Sequence, residues 1–199
     1  MNNKLSLKTK LGYGVGEFSS NIFFTVTSFW LMNFLTDEVR LSAGVAGTAL
    51  LVGKIWDAII DPLIGSISDH TKSRWGRRRP YLLFFAIPFG VAFVLMFRNP
   101  GIDGQTGKFI WAMLTYVFFC TVYSFTNIPY NALLPELTSD YNERANVSGY
   151  KMSFAVVGTL LGAGAAMPLM SLFSGRTAGF IGMSAVFGFL ASLSLIIRL

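Results

Sequence analysis

Six runs of mostly apolar residues recur along the chain, at 11–35, 45–67, 81–97, 109–133, 149–172 and 177–197, with short polar stretches between them. Each is close to the roughly 20 residues that cross a bilayer as a helix. In hydrocarbon a backbone must satisfy its own hydrogen bonds, so such runs predict helices. The runs are continuous, unlike the alternating segments of an outer-membrane barrel. The pattern predicts an all-α membrane protein in which residues 1–199 form one bundle of six transmembrane helices.

The polar positions inside these runs are ordered. In the first run Glu17, Asn21, Thr25 and Ser28 fall on one helical face, and in the fourth Cys120, Ser124, Asn127 and Asn131 do the same. The second run carries Lys54, Asp57 and Asp61 within an arc of about 60° at helical spacing. Ionisable groups at bilayer depth are expensive and mark functional positions by default. Two carboxylates one turn apart repel when both are ionised, and a shared cation or proton relieves that. Lys54 can neutralise only one of them. The stripe therefore reads as ion coupling, as a structural Lys–Asp network joining helices, or as both. Interhelical hydrogen bonds contribute only about 0.6 kcal/mol each. Two polar stripes beside a charged one are better explained by an aqueous, sugar-sized cavity. The fifth run is rich in small residues. Gly158 and Gly162 make a small-xxx-small face for close helix packing, with Gly164, Ala165 and Ala166 beyond it. Pro129 is expected to kink the fourth helix and free a carbonyl.

Composition strengthens this picture. Hydrophobic residues make up 53% of the chain and charged ones 13%, and 19 residues are Phe. Soluble domains carry roughly 25% charged residues, so this chain lacks a water-soluble surface. The net charge of +6 would suit nucleic acid, but the cations sit between the runs. Lys4, Lys8, Lys10, Lys72, Arg74, Arg77, Arg78, Arg79, Arg144, Lys151 and Arg198 fall on one side, against Arg40, Arg98, Lys108 and Arg176 on the other. By the positive-inside rule this sets the N-terminus and the second and fourth loops in the cytoplasm of a multi-pass cell-membrane protein, with no nucleic-acid partner. The first run is too long and polar-studded for a cleaved signal, and no small-residue cleavage site follows it. The lone Cys120 allows no disulfide within the chain and no paired-cysteine metal site. The glycines at 12, 14 and 16 follow no strand, so they do not read as a phosphate loop.

Two groups of residues carry a family resemblance. The segment from Gly65 to Asp69, followed by Arg74, Trp75, Gly76, Arg77, Arg78, Arg79 and Pro80, resembles the loop 2–3 signature of the major facilitator superfamily. Trp56-Asp57 with Asp61-Pro62, Asn127 with Pro129-Tyr130, the start Gly12 to Glu17, and Thr36-Asp37 resemble the glycoside–pentoside–hexuronide:cation symporters. The likeness covers nearly the whole chain. It implies a twelve-helix carrier of which this chain is the N-terminal six-helix half.

By resemblance, Asp57 and Asp61 match the family's cation-site carboxylates and Ser124 an associated hydroxyl. Asn21 and Asn127 fall where the melibiose-transporting branch has sugar-binding aspartates. Lys54 and Lys151 match basic residues facing the cavity, and Glu17 and Asn131 share the substrate-facing stripes. Asp69, Arg74, Gly76, Arg77 and Arg78 would form a cytoplasmic latch. Asparagines in place of two aspartates favour a xyloside or glucuronide over a galactoside. Ile60 stands where a polar cation-site residue is found and offers sodium no ligand, which favours proton coupling. The expected function is a cation-coupled sugar symporter, or its N-terminal half, with no cofactor beyond the coupling H+ or Na+. The expected partners are the sugar, the cation, lipid and a second six-helix half. The alternative is a truncated half-carrier that transports nothing and acts as an interaction partner. Two aspartates on one helix without a second acid-bearing element argue against an intramembrane hydrolase, so no catalytic residue is expected.

Overall fold

A computed structural model of the protein describes residues 5–74 and 76–197. Lys4, Trp75 and Arg198 lie outside the described residues. The described residues form helices and no strands. The first helix, α1 (Leu7–Val26), starts where Ser6 Oγ accepts the backbone N–H of Thr9 at 3.2 Å, a side-chain N-cap. It continues through two π-helical turns, Thr27–Leu31 and Phe34–Glu38. Then follow α2 (Ala43–His70), α3 (Arg79–Met96), α4 (Gln105–Asn131), a single turn α5 (Leu134–Leu137), α6 (Tyr141–Gly164), α7 (Ala166–Ser171) and α8 (Arg176–Ile197).

Among the described residues, five helical stretches are long and apolar enough to cross a membrane: α2, α3, α4 with α5, α6 with α7, and α8. The first helix is not among them. Lys8, Lys10, Glu17 and Asn21 leave it no stretch as apolar as those of the others. The fifth apolar run also differs from the expected continuous helix over 149–172. It begins at Tyr141, capped by Asp140 Oδ1 on the N–H of Glu143 at 2.8 Å. It breaks between Gly164 and Ala166. Pro168 explains the break, because it cannot donate to the Gly164 carbonyl and its ring crowds that position. Pro129, by contrast, lies inside α4, which runs on to Asn131.

α1 packs along α6, α2 along α4, α3 against both α4 and α8, and α1 against α8. Lipid is as apolar as the side chains, so close van der Waals contact holds helices together here. Phe23 is fully buried and meets Phe89, Phe93 and Phe119 at ring separations of 4.5, 4.2 and 6.2 Å. Along α1 and α6 the backbones themselves touch. A Cβ at Gly158 would strike the Phe18 carbonyl, and one at Gly162 would lie 3.1 Å from the Ile22 carbonyl. At one end of the bundle Arg176 pairs with Asp37 at 3.0 Å and Glu38 at 3.4 Å, joining α8 to the second π-helical turn. One face of α2 is uncovered. Leu51, Ile55, Ile59, Leu63 and Ile67, each four apart, are all exposed.

Candidate cation and substrate site

Spacing along α2 turns Lys54, Asp57 and Asp61 toward one side, and α4 packs there with Ser124. The Ser124 side chain is buried, with Oγ 2.6 Å from Asp61 Oδ1 and 3.2 Å from Asp57 Oδ1. Lys54 Nζ lies 3.2 Å from the other oxygen of Asp57. Lys54 is 60% exposed, so solvent screens this pair and it contributes little to stability. A serine hydroxyl carries one proton and donates to one acceptor at a time. With Asp61 as that acceptor, the Asp57 contact becomes a hydrogen bond only when Asp57 is protonated. A cation shared by the three oxygens satisfies the same geometry. Trp56 Nε1 donates to Thr121 Oγ1 at 2.8 Å, a further tie between α2 and α4.

A small cavity of about 70 Å³ lies beside this cluster, lined by Lys54, Asp57, Cys120, Tyr123, Thr27 and Ser28 among others. It brings the α1 stripe, through the π-helical turn, to the charged stripe of α2. Thr27 Oγ1 is buried there with no protein hydrogen-bond partner, and buried hydroxyls are otherwise nearly always satisfied.

A second set of polar groups runs across α1, α6 and α4. Asn21 Nδ2 donates to Glu17 Oε1 at 3.3 Å, and Glu17 Oε2 lies 3.3 Å from Lys151 Nζ. Lys151 Nζ donates to Asn131 Oδ1 at 2.6 Å. Asn131 Nδ2 donates to Asn127 Oδ1 at 2.9 Å, and Asn127 Nδ2 to the Tyr123 hydroxyl at 3.2 Å. Tyr123 then lines the small cavity beside Asp57. Lys151 also stands over the Tyr130 ring, 5.6 Å from its centroid, within cation–π range. Tyr130 is held by stacking on Tyr13 at 4.7 Å and by its hydroxyl, which donates to the Tyr13 carbonyl at 2.7 Å. Lys151 was counted above among the loop cations. It lies within α6 and is paired across to α1, so it belongs with the site and not with the flanking charges.

The sequence pattern did not single out Tyr123, and Tyr130 entered only as part of the motif that carries the family resemblance. Tyr123 was within reach of the pattern, because it sits one turn before Asn127 on the same face.

The α2–α3 loop forms a separate charged cluster. Arg78 Nη2 lies 2.5 Å from Asp69 Oδ1 and its other amino group 3.5 Å from Glu136 Oε1. Arg77 reaches the same Glu136 oxygen at 3.3 Å. Gly76 takes a φ of +95°, which favours glycine, and turns the chain between Arg74 and Arg77. Glu136, on α5, had no signal in the pattern. Lys10 of α1 pairs with Glu143 of α6 at 2.9 Å and donates to Asn146 at 2.7 Å.

The stripes of carboxylates, amides and hydroxyls lie among the apolar helices of a multi-pass membrane protein. The family model for MFS/sugar transport proteins matches residues 12–199, and the chain belongs to that family, among its glycoside–pentoside–hexuronide:cation symporters. It is 39% identical over 193 residues to the inner membrane symporter YicJ of Escherichia coli, covering 96% of this chain and 42% of that protein. It is 41% identical over 176 residues to the uncharacterized symporter YnaJ of Bacillus subtilis, covering 88% and 38%. It is 39% identical over 174 residues to the isoprimeverose transporter of Lactiplantibacillus pentosus, covering 87% and 36%. The chain therefore spans about two fifths of the length of these relatives.

Proposed function

We propose that this chain is the N-terminal six-helix half of a cation-coupled sugar symporter, with Asp57, Asp61 and Ser124 as the cation-coupling site. One observation carries the reading: a buried hydroxyl with a single proton stands between two carboxylates. With both acids ionised, Lys54 leaves that cluster one negative charge in excess, which one monovalent cation neutralises. A proton serves better than sodium. Sodium, as a hard cation, prefers several oxygen ligands, and the neighbouring Ile60 supplies none. Glu17, Asn21, Asn127, Asn131 and Lys151 form the sugar-facing strip, and amides of this kind offer hydroxyls both donors and acceptors. A relative named for isoprimeverose supports a sugar as substrate.

In this reading α1 is the sixth span. Its polar face is covered by α6 and by the cavity, so it does not meet lipid. The second half of the carrier closes the cavity, and Asp69, Arg74, Gly76, Arg77 and Arg78 latch the cytoplasmic side with Glu136.

The function is tested by uptake of radiolabelled glycosides into cells expressing a carrier of full family length that contains this segment. Accumulation should collapse on adding a protonophore and should not respond to sodium. Sodium-stimulated accumulation that resists the protonophore would show the ion to be wrong. Absence of saturable uptake of any sugar would show the transport reading to be wrong.

Orientation has its own test. Single cysteines placed at the exposed positions Ser73 and Asn142, in a Cys120→Ser background, should react with an impermeant maleimide only after the cells are opened. One at Asp103, in the exposed α3–α4 loop, should react in intact cells. Labelling of position 73 from outside would reverse the topology.

A further inference from the structure

We infer that Glu17 sets the charge of the sugar this site accepts: by neutralising Lys151 it makes the polar strip select an uncharged glycoside and reject a hexuronate. The inference rests on the sugar-symporter reading and narrows its substrate class: of the xyloside and glucuronide expected from the sequence it keeps the xyloside and excludes the glucuronide.

Lys151 is the cation of the strip, and an ammonium has donors only. One of them is committed to Asn131 at 2.6 Å, and the charge itself is met by Glu17 Oε2 at 3.3 Å. Both side chains are largely buried, at 25% and 19% exposure. Glu17 Oε2 has no hydrogen-bond partner of its own, so Lys151 is what compensates its charge. Asn21, donating to the other oxygen, holds the carboxylate in place. The two residues ride on helices whose backbones touch at Gly158 and Gly162, which holds their Cα positions close.

The remaining members of the strip, Asn21, Asn127, Asn131 and Tyr123, are neutral amides and a phenol. Glu17 and Lys151 together add no net charge. A neutral sugar meets matched donors and acceptors. A sugar carboxylate approaching Lys151 would put a second anion on one ammonium, a few ångströms from the first. In a partly buried site such like charges repel far more strongly than in water. Rejection by a repulsive group is a common source of specificity, and here the chain carries the rejecting group itself.

The test is competition against uptake of a labelled neutral glycoside in the full-length carrier, using a β-glucuronide and its methyl ester. The ester has the same ring and no charge. In the wild type at neutral pH the ester should compete at least about tenfold better than the acid, a factor equal to one decade of affinity. Glu17→Gln, which keeps the shape and frees the Lys151 charge, should bring the acid level with the ester or ahead of it. Adding Lys151→Gln should remove that gain. Equal competition by acid and ester in the wild type overturns the inference, with or without a well-expressed Glu17→Gln carrier. An unchanged ratio in a Glu17→Gln carrier that still transports the neutral sugar also overturns it. Absence of saturable uptake of any sugar overturns the symporter reading instead, and the inference falls with it.

Discussion

Asp57→Asn and Asp61→Asn should each abolish uphill sugar accumulation while leaving sugar binding or downhill exchange measurable. Each change removes one negative charge from a cluster where Lys54 already balances one. The cluster is then neutral without a coupling cation, so nothing draws the cation in from the membrane gradient. Each change also replaces a carboxylate oxygen that faces Ser124 with an amide. The sugar-facing strip shares no member with this trio, so sugar contact persists and only the coupling is lost. Ser124→Ala is the graded form of the same experiment. The bond gained on protonation, from Asp57 O–H to Ser124 Oγ, joins neutral groups and contributes about 0.5–1.5 kcal/mol. Losing it should weaken cation activation by roughly two- to tenfold on the same scale. The measurement is the steady-state ratio of internal to external sugar, with counterflow of preloaded sugar as the control. Wild-type accumulation ratios in both asparagine variants would remove these residues from the coupling site.

The second large effect is on assembly. Gly158→Ala should destabilise the bundle, whereas Gly149→Ala, in the same helix, should be neutral or stabilising. On helix propensity alone both should help, because alanine is favoured over glycine by about 1 kcal/mol inside a helix. Tertiary contact separates them. A Cβ at Gly149 meets nothing within 4 Å, but one at Gly158 runs into the backbone carbonyl of Phe18. A backbone atom cannot turn away as a side chain can, so α1 and α6 must part. Overpacking of this kind costs about 1–3 kcal/mol, more than the propensity gain. The parting also lengthens the Glu17–Lys151 contact, which lies on the same two helices. Thermal unfolding of the detergent-solubilised full-length carrier measures this, with a drop of several degrees expected for Gly158→Ala and none for Gly149→Ala. Equal behaviour of the two variants would show that the α1–α6 contact does not govern stability.

Much of the site could be read from spacing. Lys54, Asp57 and Asp61 lie on one face because a helix repeats every 3.6 residues, and the same arithmetic aligned Cys120, Ser124, Asn127 and Asn131. Those are properties of single helices. Lys151 shows where this stops. The charge count grouped it with the loop cations although the apolar run over 149–172 includes it, and only the family resemblance pointed it at the cavity. The Asp140 cap and the contact with α1 place it inside the bundle. Glu136 is similar: nothing periodic marks a four-residue helix, and only the approach of α5 to the α2–α3 loop gives it Arg77 and Arg78 as partners.

The sequence by itself determined that the chain is a membrane bundle, because its continuous apolar runs need lipid around them and in lipid each satisfies its backbone as a helix. It also determined which faces carry polar groups, because helical period depends on nothing outside the helix. Only the tertiary structure decided which faces meet. Ser124 reaches both carboxylates because α2 packs on α4, and Glu17 reaches Lys151 because glycines let α1 close on α6. Pairings across helices depend on side-chain shape and backbone approach between residues 63 to 134 positions apart in the chain. No local pattern encodes that distance.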